Sequence, residues 1–167
     1  MPFYVPWTDG IGTPGFVDEF VAFHLGRREE WQPSVWSLLL GVWAGGELVG
    51  SQGARLTEPG TAETGSWLGA RFQRRGIGTE MRTAMLALLF DGLGLEAATS
   101  GALGENAGST RVSEKLGYEP DGERVASPRG VPVREVRFRL THAGWTAQER
   151  PAVGIVGLEP CLALFGR

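Results

Sequence analysis

Apolar residues recur three and four positions apart from Phe16 onward. Phe16, Phe20 and Phe23, with Val17, Val21 and His24 beside them, lead into the charged run Arg27, Arg28, Glu29 and Glu30. That period predicts an amphipathic helix from Phe16 to Trp31, stopped by Pro33. The pattern then shortens. Trp36 to Trp43 is an apolar run and Glu47 to Leu56 a second strand-like segment, with Ala44, Gly45 and Gly46 supplying the turn of an antiparallel hairpin. Pro59 and Gly60 turn the chain again before a third strand, Ala62 to Leu68. A loop from Gly69 to Gly78 follows. From Ile77 the positions Met81, Ala84, Met85, Leu88 and Leu89 mark one face of a helix ended by Gly92 and Gly94. Leu95 to Ala102 is small and apolar enough for a buried strand. Ala107 to Leu116 is a further helix with Gly117 at its C-terminal cap, and Tyr118 to Ser127 with Val131 to Leu140 form a last hairpin around Pro128, Arg129 and Gly130.

The order is thus helix, three strands, helix, strand, helix, two strands. Hairpins combined with a strand–helix–strand crossover predict an α+β domain with a mixed central sheet. No repeat or low-complexity linker divides the chain, so residues 1–167 read as one domain. Residues 1–15 are rich in Pro and Gly and read as an N-terminal arm, in which Phe3, Tyr4, Val5 and Trp7 can pack. Residues 150–167 form a tail that either adds an edge strand or packs on a partner.

Composition narrows the function. With 42% hydrophobic and 21% charged residues the chain can bury a core, and no apolar run approaches the ~20 residues a membrane span needs. A net charge of −3 argues against nucleic acid as a partner, because such proteins usually present a basic face. A lone cysteine, Cys161, forms no internal disulfide, and no charged-then-apolar leader opens the chain, so a reducing cytoplasm is expected. Cys161 reads as a packed side chain. Lys115 and Asn106 are the only lysine and the only asparagine, and both fall in one segment.

The chemistry concentrates at Gln73-Arg74-Arg75-Gly76-Ile77-Gly78, between a predicted strand and a predicted helix. Successive backbone N–H groups there, added to the positive end of the helix dipole, suit a pyrophosphate or other anion. Glycine matters at 76 and 78 because a Cβ would hold the ligand off the backbone. A P-loop would need Gly-Lys-Ser/Thr, and a dinucleotide fingerprint a third glycine where Met81 stands. A tight loop without a ligand remains the competing reading.

The stretch from Glu63 to Tyr118 resembles the core of the GCN5-related N-acetyltransferases, especially the ribosomal-protein-acetylating, RimJ/RimL-like branch. The family's Gln/Arg-x-x-Gly-x-Gly/Ala matches Gln73, Gly76 and Gly78, and its later Asn-x-x-Ser then Lys-Leu-Gly-Tyr/Phe matches Asn106, Ser109 and Lys115 to Tyr118. The resemblance implies a mixed central sheet with helices on both faces in three layers. It also implies acetyl-CoA as co-substrate and no metal. The pyrophosphate would lie on backbone groups of Arg74, Arg75, Gly76, Ile77, Gly78 and Thr79. Pantetheine would pair like an extra strand along Trp67, Leu68 and Gly69, in a V-shaped gap where the central parallel strands part. Asn106 and Ser109 would touch the cofactor, or else only cap their helix.

Acyl transfer needs a neutral amine, a route for its proton, and stabilisation of the oxyanion and the departing thiolate. The backbone N–H near Leu68 is the expected carbonyl polariser. Where many family members place a tyrosine acid, this chain has Ser113, which would act by hydrogen bonding or through water; a solvated helix serine is the alternative. Glu63 is the favoured base and Glu105 the second candidate, each with an ordinary surface carboxylate as its alternative. His24, Trp7 and Trp31 either wall an acceptor cleft or simply pack, and Arg27 and Arg28 read as a solvated helix end.

One departure stands out. The family's usual first strand and helix are missing, which leaves the Trp36–Trp43 strand as an edge for the arm, the tail or a second subunit to cover. A homodimer is the favoured solution. Three readings follow: an N-acetyltransferase acting on a protein N-terminal amine or a small-molecule amine; a non-catalytic acyl-CoA-binding or regulatory module; and a structural partner protein using the tryptophan-rich N-terminal region.

Overall fold

The computed structural model describes residues 7–104 and 106–167. Phe3, Tyr4 and Val5 of the arm, and the candidate base Glu105, lie outside them. Helix α1 spans Phe16–Glu29. Strands β1, Ser37–Ala44, β2, Glu47–Glu58, and β3, Thr61–Leu68, follow as the apolar run, the strand-like segments and the turn residues between them predict. Helix α2, Ile77–Ala87, runs into a π-helical turn, Leu88–Gly92, and then into strand β4, Ala97–Leu103. Helix α3, Ala107–Lys115, leads to the hairpin of β5, Glu119–Ala126, and β6, Val133–Thr141. A short helix α4, His142–Thr146, precedes the tail.

The strands form one six-stranded sheet in the order β1-β2-β3-β4-β6-β5. All neighbours are antiparallel except β3 and β4. That parallel pair is the product of the α2 crossover, since two parallel neighbours cannot be joined by a tight turn. Its ladder is short. Thr61 pairs Ala97 and the register ends at Thr64 with Ser100, yet β3 continues to Leu68 and β4 to Leu103. The two strands therefore part, and α2 begins beside the opening.

Alternation along the strands gives the sheet two unlike faces. One carries Ala54, Ala62, Ala98, Ala102, Phe138 and Leu140, all buried, in a single cluster with Met85, Leu86, Leu89 and Phe90 of α2 and its π turn. The alanines matter because small side chains let a helix approach the backbone. The other face carries Arg55, Glu63, Glu135 and Arg137, linked by ion pairs.

Two expectations are corrected. The apolar stripe of α1 was expected to bury, but no residue of α1 is buried; Val17 and Phe23 stay exposed, and Phe20 lies against Trp7 and His24. Nor does the tail add a strand. It closes in a 3-10 helix, Glu159–Phe165, whose Phe165 ring meets Trp31 and Trp36 edge-on at 5.2 Å, while Trp31 Nε1 donates to the Leu164 carbonyl at 2.7 Å. This hydrogen bond gives the half-buried Trp31 indole N–H a partner within the chain. Among the described residues β1 is an unpaired edge.

Candidate functional site

The loop ahead of α2 departs from ordinary backbone at two positions. Arg74 has φ 59° and Gly76 φ 86°, and between them they turn the chain so that its amides converge before the helix starts. The N–H groups of Arg74, Arg75, Gly76, Ile77 and Gly78 meet no acceptor among the described residues, and the first bonds back are those of Thr79 and Glu80 to the Gly76 carbonyl. Unpaired amides at a helix N-terminus carry the positive end of its dipole and form an anion cradle. A Cβ on Gly76 would meet nothing within 4 Å, so the space above it is open; one on Gly78 would touch Leu68 at 3.6 Å and Val112 at 3.8 Å. Gln73 braces the loop, its Nε2 donating to the Leu68 carbonyl at 3.1 Å.

That brace ties the cradle to the place where β3 leaves β4. The Gly69 N–H bonds the Val49 carbonyl at 3.0 Å. In an antiparallel ladder backbone groups alternate sides. Gly69, Trp67 and Gly65 therefore direct theirs to β2, and Leu68 and Ser66 direct theirs toward the gap. With the Leu68 carbonyl engaged by Gln73, its N–H is left facing the opening.

Arg82 was not foreseen. It belongs to the inward stripe of α2 that Met85, Leu86 and Leu89 define by their spacing, and a cation on that stripe was the signal available in the sequence. It is 4% exposed. Its Nη1 donates to Ser100 Oγ at 3.0 Å and its Nη2 to Ser66 Oγ at 3.1 Å, bridging the parting strands.

The remaining predicted residues divide. Asn106 caps α3, with its Oδ1 accepting from the Ser109 N–H at 3.1 Å, so the capping role proposed for this pair is present. Ser113 is fully buried and its Oγ has no hydrogen-bond partner among the described residues, unlike a solvated helix serine. Trp67 packs at 5.7 Å against Trp7, which continues to Phe20 at 5.9 Å; His24 lies between Phe20 and Phe23. Trp31 stacks on Trp36 in the core, away from this aromatic group. A cavity of about 390 Å³ lies at the opposite end of the parallel pair, lined by Trp36, Gly60, Glu96 and Phe165, remote from the cradle.

Glu63 sits on the charged face. It accepts from Arg55 Nε at 3.0 Å and from Arg137, with Arg124 at 3.8 Å. Burial pushes its pKa up, but hydrogen bonds and charge from Arg137 and Arg55 outweigh that and hold it below the ordinary carboxylate value of about 4.5. A carboxylate so held is a weak base. A group with a lowered folded pKa contributes stability that is present above its unfolded pKa and is lost as pH falls through the folded one. Glu63→Gln is therefore expected to lower the melting temperature at neutral pH, with the gap from the parent closing at pH values below about 4.5. Melting curves across that range check it; a gap that does not narrow in acid contradicts the assignment.

The sequence profile described as the acetyltransferase (GNAT) domain matches residues 1–119. The chain belongs to the GNAT acetyltransferase family. Solved structures share this fold at low identity. A spermidine N-acetyltransferase chimera from Vibrio cholerae and hSSAT superposes with a TM-score of 0.68 at 16% identity, over 81% of this chain and 85% of that one. A GCN5-related N-acetyltransferase from Brucella melitensis gives 0.63 at 23%, over 78% and 60%. A microcin self-immunity acetyltransferase in complex with acetyl-CoA and AMP gives 0.63 at 18%, over 75% and 69%. Within this GNAT fold, the unpaired amide row and the parted strands of the present chain lie side by side. No described helix is long and apolar enough to cross a membrane.

Proposed function

We propose that this GNAT chain is an acetyl-CoA-dependent N-acetyltransferase, moving an acetyl group to a primary amine by direct attack in a ternary complex. The observation that carries the reading is the row of unpaired amides from Arg74 to Gly78 at the start of α2, opening beside the β3–β4 gap. Those residues fit coenzyme A: the amides suit a diphosphate, and the open space over Gly76 lets one approach. In this reading Gln73, Arg74, Arg75, Gly76, Ile77, Gly78 and Thr79 hold the diphosphate. The strand end Trp67, Leu68 and Gly69 receives pantetheine, and Asn106 and Ser109 approach it from α3. When bound, acetyl-CoA supplies the acetyl group as an activated thioester.

The chain's own groups do the rest. The Leu68 N–H facing the gap is placed to polarise a carbonyl. Ser113, whose unpartnered hydroxyl is out of water, is the proposed proton donor. Glu63, held ionised by its arginines, anchors the charged face, and the amine proton passes to water. Ser113→Ala is expected to leave acetyl-CoA affinity and melting temperature nearly unchanged while lowering turnover about 100-fold, the low end for a lost proton donor. Steady-state kinetics with calorimetry check this, and unchanged turnover removes Ser113 from the reaction.

Release of free thiol in the presence of amines tests the whole reading. N-terminal peptides against small amines would place the chain in or outside the RimJ/RimL-like branch. Thermal shift with acetyl-CoA comes first, because a ligand that binds only the folded form raises stability. A second reading, a non-catalytic acyl-CoA-binding module, is favoured by the pairing of Glu63 with arginines and by an α1 of which no residue is fully buried. Thermal stabilisation without thiol release would select it. A homodimer through edge strand β1, with exposed Leu39 and Trp43, and residence in a reducing cytoplasm complete the proposal; a clean monomer by light scattering argues against the former.

A further inference from the structure

Arg82 is a buried guanidinium with no carboxylate within ion-pair distance among the described residues. Its Nε has no hydrogen-bond partner among the described residues. An unneutralised cation out of water is costly, and nothing in the packing of α2 demands one, since Met85, Leu86 and Leu89 fill the same stripe with apolar groups. Its location is specific. Ser100 is the last β4 residue paired to β3, and Ser66 lies just past the last paired β3 residue, Thr64; the guanidinium spans the two strands where they separate.

We propose that Arg82 is a positioning residue for acyl transfer, holding the Ser66 and Ser100 hydroxyls across the vertex of the gap so that they donate to the sulfur of the leaving coenzyme A. The inference rests on the acetyl-CoA reading and adds to it a device for the leaving group. Both serine oxygens accept from Arg82, so each hydroxyl hydrogen is directed elsewhere, and neither meets another acceptor among the described residues. A cationic donor polarises the hydroxyl it bonds and strengthens that hydroxyl's own donation.

Transfer forms the N–C bond and breaks the C–S bond. The electron pair goes to sulfur and the amine proton leaves to solvent, so negative charge grows where these hydroxyls converge. Among the described residues no carboxylate pairs with the guanidinium. Glu63 lies on the opposite face of β3 with Arg55 and Arg137 as partners. On the same face Tyr118 offers its phenol to Thr64 at 3.4 Å, and Glu80 of α2 is exposed.

The test is the titration of the thiol of coenzyme A bound to the full chain, followed by thiolate ultraviolet absorbance, with calorimetry run first. In the parent the midpoint should lie below that of free coenzyme A. In Arg82→Met it should rise by about one pH unit, equivalent to about tenfold in the ionisation constant, and kcat should fall about tenfold while KM for acetyl-CoA moves less than about threefold. Arg82→Lys keeps the charge without the planar fork and should fall between. A bound thiol that titrates identically in the parent and in Arg82→Met overturns the proposal and leaves Arg82 a strut. If Arg82→Met fails to fold, Ser66→Ala and Ser100→Ala carry the test with the guanidinium in place, and an unmoved midpoint in both overturns it equally. Absence of coenzyme A uptake by the parent, seen in the calorimetry before any titration, instead sinks the acetyl-CoA reading and this proposal with it.

Discussion

Gly76→Val is expected to abolish acetyl-CoA binding, with affinity falling by at least about 100-fold, equivalent to about 2.7 kcal/mol. Two effects add at this position. Gly76 has φ 86°, a region that a β-branched residue adopts only under strain, at a cost of about 1–2 kcal/mol. The backbone escapes that strain by rotating, which turns the Gly76 and Ile77 amides away from the line they share with Arg74 and Arg75. A valine that kept the backbone would put its methyls in the open space over the cradle. Either way the diphosphate loses its donors. Calorimetric titration with acetyl-CoA, next to Gly26→Ala as a control on exposed α1, checks it. Undiminished binding by Gly76→Val would remove the amide cradle from the function.

Trp145→Ala is expected to cost the largest share of stability, about 3–5 kcal/mol, or roughly 10 °C in melting temperature for a domain of this size. Trp145 is 2% exposed and stacks on Phe90 at 5.6 Å. Its Nε1 donates to Asp91 Oδ1 at 2.8 Å, and the Arg150 guanidinium lies 3.4 Å from its ring centroid. Truncation would empty a cavity, orphan the Asp91 contact and free Arg150 at once. Phe90 and Asp91 belong to the π turn that ends α2, far along the helix from the cradle. The folded fraction should therefore still bind acetyl-CoA at low temperature with near-normal affinity. Denaturation curves and calorimetry on the same preparation separate the two readouts, and an unchanged melting temperature would mean that α4 does not anchor this end of the core.

The pair of variants also separates what was legible from what was not. The hairpins of β1 with β2 and of β5 with β6, the helix that starts at Ile77 and the crossover from β3 to β4 followed from short apolar runs, from helical periodicity and from turn residues such as Gly45 and Gly46. These are local signals, written within a few residues of where they act. The anion cradle was legible for the same reason, because Gly76 and the helix start adjoin in sequence. Less local outcomes were misjudged. The stripe of α1 reads as amphipathic, but what it packs on is decided by residues outside it, and among the described residues the Trp7 ring against Phe20 leaves no residue of the helix buried. The tail reads either as an edge strand or as a segment packed on a partner, whereas Phe165 and Leu164 contact Trp31 and Trp36, residues far from them in the chain.

By itself, then, the order of residues determined the elements, the mixed sheet and the family, because each rests on short-range pattern or on motifs in register. Only the tertiary structure decided the state of the charges. Glu63 reads as a free carboxylate until β2 and β6 bring Arg55 and Arg137 to it, and Arg82 reads as one more helical arginine until α2 lies across Ser66 and Ser100. Electrostatic character depends on burial and on partners from other strands, and those distances exist only once the chain is folded.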